Sequence, residues 1–226
     1  MNITHLRFDR ESDWLAALTV NWRRLGSEAL HRRGVFNVAL SGGATPGNFY
    51  RVLGRADWAW SATQLFISDE RWVPTAHQDS NHRMIYEAFY PLTLNLERWK
   101  TELPKAGDAA ADYERRLIRA LGQPPRFDLI LLDVGADGHT AALFPGTRAL
   151  TVRDRYAVAN WVPQLGAQRL TLTYATLNQA GEIWFLARGG EKQPWLQRME
   201  QGASPDFPAA AVTTERGEIK IFNCVG

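Results

Sequence analysis

Four short runs of the chain, VFNVAL (35–40), QLFISD (64–69), FDLILLDV (127–134) and EIWFLAR (182–188), carry apolar residues at both odd and even positions. No other feature restricts the fold as much. A strand that is apolar on both faces must be covered on both faces, and a sheet sandwiched between helices meets that demand. Stretches of helical period supply the cover. Trp14, Leu15, Leu18, Trp22, Leu25 and Ala29 recur at three- and four-residue spacing, which predicts a long N-terminal helix stopped near Gly34. SNHRMIYEAFYPL predicts a helix from a cap at Ser80 or Asn81 to Pro91, and DAAADYERRLIRAL predicts one that ends at Gly122. Further strands are expected in YAVANWV, RLTLTYATL and EIKIF, and a further helix opening near Pro194. The alternation predicts an α/β fold with a largely parallel central sheet and helices on both faces. No internal repeat or Gly/Ser linker divides the 226 residues, so one domain spanning 1–226 is expected.

Charge and cysteine usage narrow the function classes. Twenty-six Lys and Arg against 24 Asp and Glu leave +2, too small an excess for a surface that binds a polyanion, so no nucleic-acid partner is expected. A lone Cys224 excludes an intramolecular disulfide and a cysteine-based zinc site. No apolar run reaches the roughly 18 residues of a membrane span, and MNITHLRFDRESDW has no apolar core of a signal peptide. The expectation is a cytoplasmic protein without a membrane partner.

In open parallel sheets ligands sit beyond the carboxyl ends of the strands, which makes the strand-to-helix junctions the places to search. The first, LSGGATPGNFY, sets Ser41, Gly42 and Gly43 ahead of a helical segment, with Thr45 able to cap and Pro46 suited to the first turn. Glycine N–H groups at a helix N-terminus suit a phosphate or sugar; the alternative is a tight turn with no ligand. Asn48 stands where a Walker A loop needs lysine, and no dinucleotide fingerprint is present.

The third junction, DVGADGHT, is the sharper one. His139 is the only one of five histidines in a glycine-framed loop at a strand end. A neutral imidazole can take a proton from water, and the carboxylate of Asp137 can hold the ring. Alternatively, His139 caps a following helix while Asp137 makes an Asx turn. A serine nucleophile is disfavoured because Ala39 and Leu40 precede Ser41 where the nucleophile elbow needs glycine, and a metal site because Asp69, Glu70, Asp137 and His139 lack paired ligand spacing. Arg71, Arg169 and Lys192 stand near the other junctions, as surface charges or as the cations of an anion site. Together the junctions favour an anionic small molecule.

The motifs LSGGATPGNFYRVL, ISDERWVP, DSNHRM, FDLILLDVGADGHTAALFPG, RLTLTYATLNQA and WFLARGGEK, in this order and spacing from about Val35 onward, resemble those of the 6-phosphogluconolactonases. The resemblance implies a Rossmann-like fold related to the glucosamine-6-phosphate deaminases, and hydrolysis of a sugar-phosphate lactone without an obligatory cofactor. It implies His139 as general base with Asp137 beside it. Substrate ligands would be Ser41, Gly42, Gly43, Asp69, Arg71, Arg169 and Lys192, with no metal, in a monomer or small homo-oligomer. Two positions depart from the family pattern: Asp133 stands at a customary glycine and Ala142 at a customary serine. Asp133 lies either near the imidazole or turned aside to accept loop N–H groups. The deaminase branch reads Asp-Glu-Tyr where this chain has Asp69-Glu70-Arg71 and carries a glutamate that this chain lacks. A non-catalytic sugar-phosphate sensor is the third alternative.

Overall fold

The computed structural model of the chain describes residues 3–189, 195, 198–199 and 206–226. Along them run β1 (Ile3–Phe8), α1 (Glu11–Arg33), β2 (Phe36–Leu40), α2 (Ala44–Leu53), β3 (Thr63–Ile67), β4 (Asp69–Arg71), α3 (Asn81–Phe89) and β5 (Asn95–Glu97). Then follow α4 (Ala106–Leu121), β6 (Leu129–Leu132), β7 (Ala157–Val162), β8 (Ala167–Leu172), α5 (Tyr174–Leu177), β9 (Glu182–Arg188) and β10 (Glu218–Cys224). Lys192 and Pro194 lie outside the described residues; of the helix expected there, residues 195 and 198–199 are described, and they are helical.

The seven-stranded central sheet has the order β1-β10-β9-β6-β2-β3-β5, and every neighbouring pair in it is parallel. That order explains why helices cover both faces. Crossovers between parallel strands are right-handed, so connections that advance in opposite directions along the sheet lie on opposite faces. α1, α2 and α3 connect strands in one direction, and α2 packs against both α1 and α3. α4, which returns from β5 to β6, covers the other face with the β7–β8 ribbon. On the first face Trp22 of α1 meets Phe36 of β2 edge-on at 5.0 Å. The central β6 is buried at every position, as its unbroken apolar run requires. Trp14, Trp22, Trp99 and Trp184 are fully buried, while Trp58, Trp60 and Trp72 pack at the margin of the same core. Among the described residues no helix is long and apolar enough to cross a membrane.

Four expectations need correction. QLFISD is not one strand: β3 ends at Ile67, and β4 leaves the central sheet to join β8 and β7 in a separate sheet of order β4-β8-β7. YAVANWV and RLTLTYATL therefore build an antiparallel ribbon, and the second turns helical at Tyr174. Thr45 is not a cap, because α2 starts at Ala44 with Gly43 in the cap position and no capping side chain. After β6 no α-helix follows before β7, so His139 caps none. The edge strands β1 and β5 have no counterpart in the sequence reading; β5 is only three residues long, and β1 alternates between half-buried and exposed positions along an edge.

Candidate active site

The direction of the crossovers reverses between β2 and β6, which are neighbours in the sheet. At such a reversal the loops leaving the two strands diverge to opposite faces and open a crevice. The loops in question are Ser41–Gly43 after β2 and Asp133–His139 after β6. A cavity of about 200 Å³ occupies the crevice, lined by Ser41, Gly42, Gly43, Asp69, Arg71, Asp133, Val134, Gly135, His139 and Ala141. A larger cavity of about 830 Å³ lies at the opposite ends of the strands. Its carboxylates Asp128 and Glu182 are taken up by Arg33 and Lys220, and the strand-end loops do not reach it.

His139 is positioned by its own loop. Its Nδ1 lies 2.5 Å from Asp137 Oδ1, and the same oxygen accepts the His139 backbone N–H at 3.2 Å. Asp137 thus makes the Asx turn and holds the ring at once. The Gly135 N–H donates to the His139 carbonyl at 2.9 Å, closing the loop beneath the ring. A Cβ on Gly135 would sit 2.2 Å from the imidazole, so only glycine admits the histidine there. The ring lies against Phe144, centroids 4.0 Å apart and planes 17° from parallel. Among the described residues Nε2 has no hydrogen-bond partner.

The opposite wall is the β2 loop. Gly43 has φ 108°, a backbone conformation that favours glycine, and it turns the chain into α2, whose first turn carries no acidic side chain. Gly42 packs so closely on Asn81 that a Cβ would lie 1.9 Å from the amide oxygen. Asn81 in turn donates to the Asp69 carbonyl at 2.7 Å and to its carboxylate at 3.3 Å. The buried Ser41 hydroxyl has no partner among the described residues. An unpaired buried hydroxyl costs free energy unless something binds it, and this one borders the cavity.

β4 and β8 supply the cations. Arg71 and Arg169 are directly opposite in the ladder, on the same face as Asp69 and Thr171. Burial, then Arg71, pushes the Arg169 guanidinium below its ordinary value, while Asp69 pulls it back. Like charges set opposite each other are unfavourable unless an anion joins them. Neither arginine makes an ion pair among the described residues; Arg71 donates to the Asp79 carbonyl at 2.7 Å. Glu70 anchors β4 to α3. Its carboxylate accepts the N–H groups of Arg71, Asn81 and His82 and the hydroxyl of Ser80, and burial raises it above the usual range.

Of the residues singled out in the sequence, Ser41, Gly42, Gly43, Asp69, Arg71 and His139 line one cavity, Asp137 stands behind the histidine, and Arg169 is paired with Arg71. Lys192 lies outside the described residues. Asp133 accepts the Val134 N–H through Oδ1 at 2.8 Å, as the second of its readings expects, and borders the cavity on the side of Gly43. Asn81 and Phe144 were not singled out. Asn81 reads as a possible helix cap and Phe144 carries no local signal, and only the folded chain brings them to the site. Among the described residues no group of three or more His, Cys, Asp and Glu has metal-binding geometry.

Comparison with known proteins adds the lineage. The model of the glucosamine-6-phosphate isomerases/6-phosphogluconolactonase family matches residues 9–221. The chain belongs to this family. Among similar members, a 6-phosphogluconolactonase of Synechocystis sp. is 40% identical over 203 residues, covering 85% of this chain and 83% of the relative. One from Chlamydia trachomatis is 33% identical over 213 residues, covering 91% of this chain and 82% of that family member. The crystal structure of the 6-phosphogluconolactonase from Thermotoga maritima superimposes with a TM-score of 0.86 at 27% identity, over 97% of this chain and 99% of the other.

Proposed function

We propose that this chain hydrolyses 6-phospho-D-glucono-1,5-lactone to 6-phospho-D-gluconate, the second step of the oxidative pentose phosphate pathway, with His139 as general base. The observation that carries the reading is the His139–Asp137 pair opening on a cavity bordered by glycine N–H groups and Arg71. The lactone is an ester already activated by its ring, so the protein has three tasks: to place a water, to accept its proton and to stabilise the oxyanion. Water attacks C1 while His139 Nε2 takes its proton, and Asp137 supports the imidazolium through Nδ1. The tetrahedral oxyanion is met by the Gly43 N–H. Collapse breaks the bond between C1 and the ring oxygen, and the proton on His139 passes to that oxygen. The product carboxylic acid then ionises.

The phosphate, remote from C1, orients the substrate. Arg71 and Arg169, two cations facing each other without an ion pair among the described residues, suit a dianion, and Lys192 is assigned to the same group. The lactonases among the relatives, and Arg71 in place of the tyrosine of the deaminase branch, favour this reading over an isomerase.

The test is the acid released from freshly generated lactone, titrated with and without protein. His139→Asn is expected to lower turnover at least about a hundredfold while leaving phosphate-dependent binding nearly intact. Wild-type turnover in a folded His139→Asn protein ends the general-base assignment, and absence of acid release by the wild type ends the lactonase reading.

A further inference from the structure

The His139 imidazole has three supports, of which two belong to its own loop: Asp137 at Nδ1 and the bare Cα of Gly135 beneath the ring. The third, Phe144, comes from five residues further on and needs fixing of its own. Its ring is buried in a small apolar cluster with Ala142 and Val162, separate from the main core. Its backbone is held by a chain of hydrogen bonds. The Thr147 hydroxyl donates to the Phe144 carbonyl at 2.7 Å, and Asn160 Nδ2 donates to Thr147 Oγ1 at 3.0 Å and to the Ala142 carbonyl at 2.9 Å. Asn160 Oδ1 accepts the Ala149 N–H at 3.4 Å, and Thr171 Oγ1 accepts the Ala142 N–H at 3.1 Å. Asn160 and Thr171 are both buried on the β7–β8 ribbon, and Asn160 stands directly opposite Arg169 in the ladder.

We propose that Phe144, fixed by the Asn160 clamp, is a positioning residue that sets the plane of the His139 ring. The inference rests on the reading of His139 as the base. A ring bonded only at Nδ1 keeps freedom to tilt, and each tilt swings Nε2, the atom that must meet the water. A flat aromatic face against the ring removes that freedom and screens one side of it from solvent. The charged groups around the imidazole are Asp137 at Nδ1, with Asp69, Asp133 and Arg71 on the cavity walls; Phe144 is its neutral wall. The clamp also ties the base loop to the ribbon that carries Arg169, so one asparagine registers the proton acceptor against the cations.

Three variants test this. Phe144→Leu keeps an apolar side chain and loses the flat face; Phe144→Tyr keeps the face. Phe144→Leu is expected to lower kcat about tenfold or more with KM within about twofold of wild type, and Phe144→Tyr to keep wild-type kcat. The Cε1–H proton resonance of His139, shielded by the ring in the wild type, is expected to move downfield in Phe144→Leu and to stay in Phe144→Tyr. Should Phe144→Leu fail to fold, Asn160→Ser, which shortens the clamp, is expected to give the same kcat loss and the same resonance shift. Wild-type kcat in Phe144→Leu, equal damage in the Leu and Tyr variants, or an unmoved resonance in whichever clamp or ring variant folds overturns the proposal. The resonance reads ring position whether or not His139 is the base, and turnover in His139→Asn tests the base alone, so the two failures are distinguishable.

Discussion

Gly135→Ala offers a direct test of whether the ring position of His139 governs the reaction. The added Cβ would stand 2.2 Å from the imidazole Cε1 and Nδ1 and 2.8 Å from Asp137 Oδ1. Ordinary van der Waals contact begins near 3.4 Å, so the ring must retreat by about 1 Å, and the Nδ1 hydrogen bond must bend with it. Gly135 is not among the positive-φ glycines, so alanine adds no backbone strain and the damage is confined to the site. A misplacement of about 1 Å in a catalytic group costs about a hundredfold in rate. Acid release from fresh lactone by Gly135→Ala is therefore expected at about one hundredth of the wild-type kcat, with a melting temperature close to wild type and a much smaller change in KM. Turnover within about threefold of wild type in the folded variant would refute the reasoning, because it would mean that the histidine works equally well from a displaced position.

Two further outcomes follow from charge. Arg169→Ala is expected to raise KM for the phosphorylated lactone about tenfold or more and to leave hydrolysis of unphosphorylated gluconolactone nearly unchanged; equal damage to both substrates, measured side by side, removes it from the phosphate site. Glu182 lies at the far ends of the strands. Burial raises its carboxyl, but Lys220 at 2.9 Å, Trp184 at 2.8 Å and Arg24 at 2.6 Å outweigh burial and hold it below the usual range. A carboxyl lowered in the folded state stabilises above its unfolded value and loses that contribution as pH falls through its folded one. Glu182→Gln is expected to cost about 2 kcal/mol at pH 7 in urea unfolding, less than a fully buried pair because Arg24 is solvent-facing, and the gap is expected to narrow below about pH 4. A gap independent of pH contradicts the assignment.

What the sequence determined by itself is whatever short-range physics dictates. The runs at β2, β6 and β9, apolar at odd and even positions alike, demanded cover on both faces, and the period of α1 with Gly34 at its end set a helix and its stop. The loop chemistry was equally local: Asp137 and His139 are two residues apart, and a glycine frame is what a tight strand-end turn requires, so the pairing of the histidine with its carboxylate was legible before any fold was known. Tertiary structure decided what depends on distant segments meeting. Whether QLFISD is one strand or two turns on the β8 partner that draws Asp69 to Arg71 out of the central sheet, a pairing across about a hundred residues that no local pattern encodes. The crevice itself exists because β2 and β6, remote in sequence, are neighbours at the point where the crossovers reverse. The same long-range order sets Arg71 against Arg169 and brings Asn160 to the loop that carries Phe144. Side-chain type and spacing constrain each element, but which elements are neighbours is decided by how the whole set buries its apolar faces at once.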